Sequence, residues 1–161
     1  MAASLHDAFL TWGSFFANHA SVRTLVTFVH VGALMGGGGA AVTADRGILA
    51  ALNLAGDARD RQLLALRQTH RIVVVGLACI AISGLLLFAS DVDTFLYSKT
   101  FWTKMSLLAL LLINGAVLVW AEGRAAQGEA GAWRTVRATA RASLALWFLI
   151  TLAGVALLNV G

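Results

Sequence analysis

Proline is absent from the 161 residues, cysteine occurs once, and Asp, Glu, Lys and Arg together make up only 12% of the chain. The single Cys79 excludes an internal disulfide, a CxxC redox pair and a thiolate metal cage within one chain. A mean hydropathy of +0.80 excludes the disordered class, and the lack of proline excludes the collagenous one. What is abundant is apolar surface. The apolar share is 59% before glycine is counted, whereas a soluble domain reaches about 45–50% with glycine included. A membrane protein is what this composition describes.

The formal net charge of +4 does not mark a nucleic-acid binder, because the arginines stand at the ends of apolar runs and form no single basic surface. Four runs are long enough to cross a bilayer core of about 30 Å, which takes about 20 helical residues. They cover 22–43, 72–90, 101–121 and 139–159. Backbone polar groups find no partner in lipid, so each run must be a helix or a closed-barrel strand, and runs this long and continuous are not strands; an all-α bundle of four transmembrane helices in a single domain follows. The lipid bilayer is its first partner.

Charge bias sets the expected orientation. One connection carries Arg46, Arg59, Arg61, Arg67 and Arg71, and another carries Arg124, Arg134, Arg137 and Arg141. Between them the segment from Asp91 to Thr100 offers one cation, Lys99, against Asp91 and Asp93. Both Arg-rich connections are therefore expected in the cytoplasm and both termini outside. Trp102 and Trp120 stand about 27 Å apart along a helix and place one indole near each interface.

Residues 1–20 lack the basic n-region of a signal peptide. Leu5, Phe9, Trp12 and Phe16 recur there at helical spacing opposite Asp7, Thr11, Ser14 and Asn18, which predicts an amphipathic helix in the outer interface. Leu63, Leu64 and Leu66 lie among charges in a helix-permissive stretch, so the first two spans are expected to project beyond the membrane and turn near Gly56.

His30 is the informative histidine, seven residues or about 10 Å inside Arg23. An ionisable side chain at that depth faces the bundle interior as a rule and marks a functional site by default. At 100° per residue, Arg23, His30, Ala33, Gly37 and Ala41 share a face, with room beside the imidazole for a neighbouring helix or a flat cofactor. The plainer alternative is a histidine bonded to a carbonyl or hydroxyl while the small residues serve packing. The run Gly36 to Gly39 leaves the same choice open.

Lys104 lies one turn inside the outer end of the third run, in the same half of the membrane as His30. Turned inward it offers a cation to a carboxylate; turned outward it reaches the surface. Asn114 is expected to bond another helix. His6, His19 and His70 read as interfacial residues, and Asp45 and Arg46 as an anchor or ion pair. With no Glu-x-x-His or His-x-x-x-His, a closed zinc or di-iron site is not indicated.

The stretches TLVTFVHVGALMGG, THRIVVVGLACIAISGLLL and YSKTFWTKMSLLALLLINGAVL, from roughly Arg23 to Leu118, resemble a superfamily of small bacterial inner-membrane bundles. It includes the CopD-type copper-resistance proteins and the HemJ-type protoporphyrinogen oxidases. The resemblance implies a bacterial inner-membrane location. It matches His30 to the functional histidine of the HemJ-type first helix and Lys104 to its third-helix lysine, and so implies haem b or a porphyrin near both. The chain departs from the HemJ type in having no proline and only Tyr97 as tyrosine. The functional expectation is a haem- or porphyrin-binding redox protein with His30 as axial ligand and Lys104, Ala33, Gly37 and Ala41 about the cofactor. The competing expectations are a non-enzymatic subunit of a larger membrane electron-transfer or transport complex, and a metal-transport module. A homodimer across the Ala33, Gly37 and Ala41 face is a further expectation.

Overall fold

Long apolar runs without proline give long uninterrupted helices. The computed structural model describes residues 2–54, 56–129 and 131–160, without the side chains of 2–5, 60, 63, 64, 66–68, 158 and 160. The expectations for Leu63, Leu64, Leu66 and Arg67 concern side chains outside the described residues. In chain order the helices are α1 (Ala2–Asn18), α2 (Ala20–Ala51), α3 (Gly56–Ser90), α4 (Val92–Tyr97), α5 (Lys99–Ala126) and α6 (Ala132–Val160).

Four of these are long and apolar enough to cross a membrane: Ala20–Ala51, Thr69–Ser90, Lys99–Ala126 and Ala132–Leu157. The protein is a multi-pass membrane bundle. At 1.5 Å per residue the 32 residues of α2 run about 48 Å, well beyond a hydrocarbon core of about 30 Å. Together with residues 56–68 of α3, α2 extends past the span and turns at Leu52–Leu54 into Gly56, whose φ of +55° suits a residue without Cβ.

The α5–α6 connection is equally well determined by its sequence. Gly128 at φ +78° lets its own N–H reach the Ala125 carbonyl and the Glu129 N–H reach that of Arg124, which satisfies the carbonyls left open at the end of α5. Glu129 then pairs with the Arg124 side chain, whose guanidinium also lies 4.6 Å over the Trp120 ring. At the other end of the bundle, Asp91 caps α4 by accepting from the Thr94 N–H, and Ser98 caps α5 by accepting from the Phe101 N–H. A segment read from sequence as a plain connection thus contains a short helix. Phe88, Phe95 and Phe101 stack across it and tie α3, α4 and α5 together.

Helices α2 and α3 form one antiparallel pair and α5 and α6 the other, with α2 packed on α6. Ala41, Leu111, Trp147 and Ile150 form the core at mid-bundle, and Ile48, Leu118, Ala121, Ala125, Val136 and Ala140 form it towards the arginine-rich end. The outward faces are apolar as well, with Phe28, Met35 and Phe148 at least 70% exposed, as a lipid-facing surface requires.

The N-terminal helix does more than offer an apolar face. Trp12 Nε1 donates to the Leu86 carbonyl at 2.9 Å, Phe16 is buried, and Gly13 lets α1 close on the Ser90 carbonyl. Arg23 reaches back from α2 to the Ala17 carbonyl at 2.8 Å and so occupies the open end of α1. Helix α1 is therefore fastened to the end of α3.

Candidate functional site

The geometry at His30 is set by α3. Nδ1 of His30 lies 3.0 Å from Oγ of Ser83, which is 2% exposed. The Ser83 hydroxyl has one proton, and the Cys79 carbonyl, 2.5 Å away, takes it, with the Ile80 carbonyl more distant at 3.3 Å. With its proton so committed, Ser83 accepts from His30 in the tautomer that carries its proton on Nδ1, which has its lone pair on Nε2. The Ile80 backbone carbonyl is also within reach of the ring. Beside Ser83, a Cβ on Gly84 would stand 3.3 Å from Cε1 of the ring, so the missing side chain at 84 makes the seat for the imidazole.

Lys104 projects from α5 and is half-buried, with Nζ 3.7 Å from the position a Cβ would take on Gly154 of α6. Its ammonium lies within electrostatic reach of the His30 ring. No hydrogen bond or ion pair to Lys104 is found among the described residues. The structure brings His30 and Lys104 into one half of the bundle from opposite helix pairs.

The small residues of α2 have separate tasks. Gly37 meets Gly76 of α3 backbone to backbone: a Cβ on Gly76 would fall 2.6 Å from Cα of Gly37, and one on Gly37 would fall 2.9 Å from Cα of Gly76. The Ala33 carbonyl borders the same crossing, and Ala41 is buried in the mid-bundle core against Trp147 and Leu111. A Cβ on Gly38 would fall 3.1 Å from the Trp147 ring, whereas one on Gly36 or Gly39 would stand in open space among the described residues. The face of Ala33, Gly37 and Ala41 is thus occupied within the chain, by α3 at Gly37 and by α5 and α6 at Ala41.

Asn114 donates from Nδ2 to the Thr139 carbonyl at 2.9 Å and joins α5 to α6. His19 bonds the Phe15 carbonyl at 2.8 Å and stacks on Phe15, His6 lines a surface cleft between α1 and α4, and His70 is exposed. None of these three joins His30. Asp45 and Arg46 part company: Arg46 is exposed, while Asp45 is 3% exposed and turned into the bundle.

Ser83, Gly84 and Gly154 were not among the sequence candidates. A Ser-Gly pair four and five residues after Cys79 was the available signal for the first two, since a serine in a span needs a carbonyl one turn back and a glycine there admits a neighbour. Among the described residues no group of three or more His, Cys, Asp and Glu stands together as for a protein-held metal ion. Comparison with protein-family models, curated proteins and solved structures gave no match.

Proposed function

We propose that the chain is a haem b- or porphyrin-binding redox protein of a bacterial inner membrane, with both termini outside and His30 as the axial ligand. The observation that carries the reading is the 3.0 Å contact of His30 Nδ1 with Ser83 Oγ, which holds the ring in one orientation and, with the proton on Nδ1, presents the Nε2 lone pair. Metal-bound histidines are oriented in this way, by a hydrogen bond from the other ring nitrogen. A porphyrin supports the choice of group because it brings four nitrogens of its own and needs a single protein ligand, which is what this half of the bundle offers.

Lys104 would hold a propionate by charge, acting as a point cation on a flexible stem. Ser83 would keep the imidazole neutral at Nε2 and fix its plane. When bound, the haem supplies one-electron chemistry. A HemJ-like oxidase activity is the narrower form of this proposal.

A second reading, a subunit of a larger membrane complex, is favoured by the outward face of Gly32, Gly36 and Gly39, where an added Cβ would meet no other part of the described chain within 4 Å. Glycines on an outward face allow close approach of another helix. An absorption spectrum of the protein purified after haem-sufficient expression decides between them. A Soret band that copurifies stoichiometrically supports the haem reading; a colourless, folded protein that also fails to bind added haem or protoporphyrin rejects it.

A further inference from the structure

Asp45 lies fifteen residues, or about 22 Å of helix, from His30 at the arginine-rich end of α2. Ile48, three residues on along the same face, packs in an apolar cluster with Ala121 of α5 and Val136 and Ala140 of α6, all 5% exposed or less. Into this setting the chain turns a carboxylate that is 3% exposed. The Ser143 hydroxyl of α6 lies within hydrogen-bonding reach of that carboxylate. The second oxygen, Oδ2, is buried with no hydrogen-bond partner among the described residues.

Among the described residues no cation is paired with Asp45. On α2 itself Arg46 points outward and is exposed. Helix α3 brings Gln62, whose amide donates to the Gly47 carbonyl, and Arg59, whose guanidinium lies 4.6 Å over the Trp133 ring. Helix α6 offers the uncharged Ser143, and α5 brings Glu122, a second negative charge close enough to act on Asp45. No ion pair to Asp45 is found among the described residues. A buried carboxylate oxygen that lacks both a donor and a cation is costly, and a second acid beside it adds repulsion. Serine and carboxylate oxygens are hard donors, of the kind that hold protons and hard cations.

We propose that Asp45 is the binding group of a monovalent-cation site between α2, α5 and α6, with Oδ2 receiving either a proton or an alkali cation such as Na+. Ser143 orients the carboxyl by holding its other oxygen. The inference concerns a place in the bundle remote from His30 and stands whether or not haem is bound there.

Infrared difference spectroscopy on the full chain in sodium-free liposomes tests it, with Asp45→Asn used to assign the carboxyl signal and Ser143→Ala as a second assignment that removes the donor and shifts the band. The expected result is an Asp45 signal that responds to one of the two cations. A band that follows pH and ignores added NaCl identifies the proton; one that changes with NaCl, but not with choline chloride, at fixed pH identifies the alkali cation. An Asp45 carboxylate signal that changes with neither, across the range in which helical circular dichroism is constant, overturns the proposal, as does the absence of any signal lost in the folded Asp45→Asn protein.

Discussion

Nδ1 of His30 and Oγ of Ser83 lie 3.0 Å apart across the contact between α2 and α3, and the serine proton is already committed to the Cys79 carbonyl. The relationship sets the ring plane and favours the tautomer with the proton on Nδ1, because an oxygen whose own proton is committed acts as an acceptor. The ring is aimed by a helix other than its own, so its orientation depends on how closely α2 and α3 approach.

Ser83→Ala should leave the fold intact and lower haem affinity by about 10- to 100-fold, the usual cost of removing the partner that orients a ligating histidine. His30→Ala should abolish the Soret band, while His6→Ala and His19→Ala should preserve it. Titration of the apoprotein of each variant with haem checks all four. Equal affinity in wild type and Ser83→Ala would show that the serine does not support the ligand.

Gly76→Ala should destabilise the bundle by about 1–3 kcal/mol, the ordinary range for overpacking, because its Cβ would meet backbone on α2 and no flexible side chain can give way. Gly36→Ala has open space around it and should be neutral, or stabilising by up to about 1 kcal/mol through helix propensity. Unfolding of the two variants in mild detergent measures the contrast. If Gly36→Ala is the more damaging, the outward face of α2 is covered by another chain.

The four spans were legible because hydropathy and length settle them, and the Gly56 turn because glycine tolerates the positive φ found there. His30 was legible through its depth alone. Its partner was not, since Ser83 lies 53 positions away and the pairing depends on the α2–α3 register. Four consecutive glycines looked equivalent in sequence, yet one admits α3, one seats Trp147 and two face outward, a division set by helix phase and by neighbours that local pattern does not contain. Asp45 was read as half of an ion pair with Arg46 because adjacent residues of opposite charge suggest one. On a helix, however, consecutive residues point about 100° apart and need not meet.

Orientation in the membrane rests on nine arginines in two connections against one lysine in the third. In a Cys79→Ala background, a membrane-impermeant maleimide added from the periplasmic side should label Asp93→Cys and spare Asp57→Cys, both at exposed positions. The reverse pattern would place the arginine-rich end outside.

The sixth position of a haem on His30 can be argued from the same packing. A second histidine within the chain is excluded by placement, since His70 is exposed towards the opposite end of α3 and His6 and His19 are engaged with or near α1. The other route, two chains each giving one His30 across a dimer face of Ala33, Gly37 and Ala41, requires that face to be free. It is occupied: Gly76 touches Gly37 backbone to backbone, and Ala41 is buried against Trp147. Pairing two chains there would first require α3 to leave, which would also remove Ser83 from His30. The iron is therefore expected to keep an open or weakly held sixth position, with Lys104 left to a propionate. Reduced protein should bind carbon monoxide readily, and Lys104→Ala should weaken haem retention without preventing that binding. A low-spin reduced spectrum that resists carbon monoxide in wild type, and yields to it in Lys104→Ala, would instead make the lysine amine the sixth ligand.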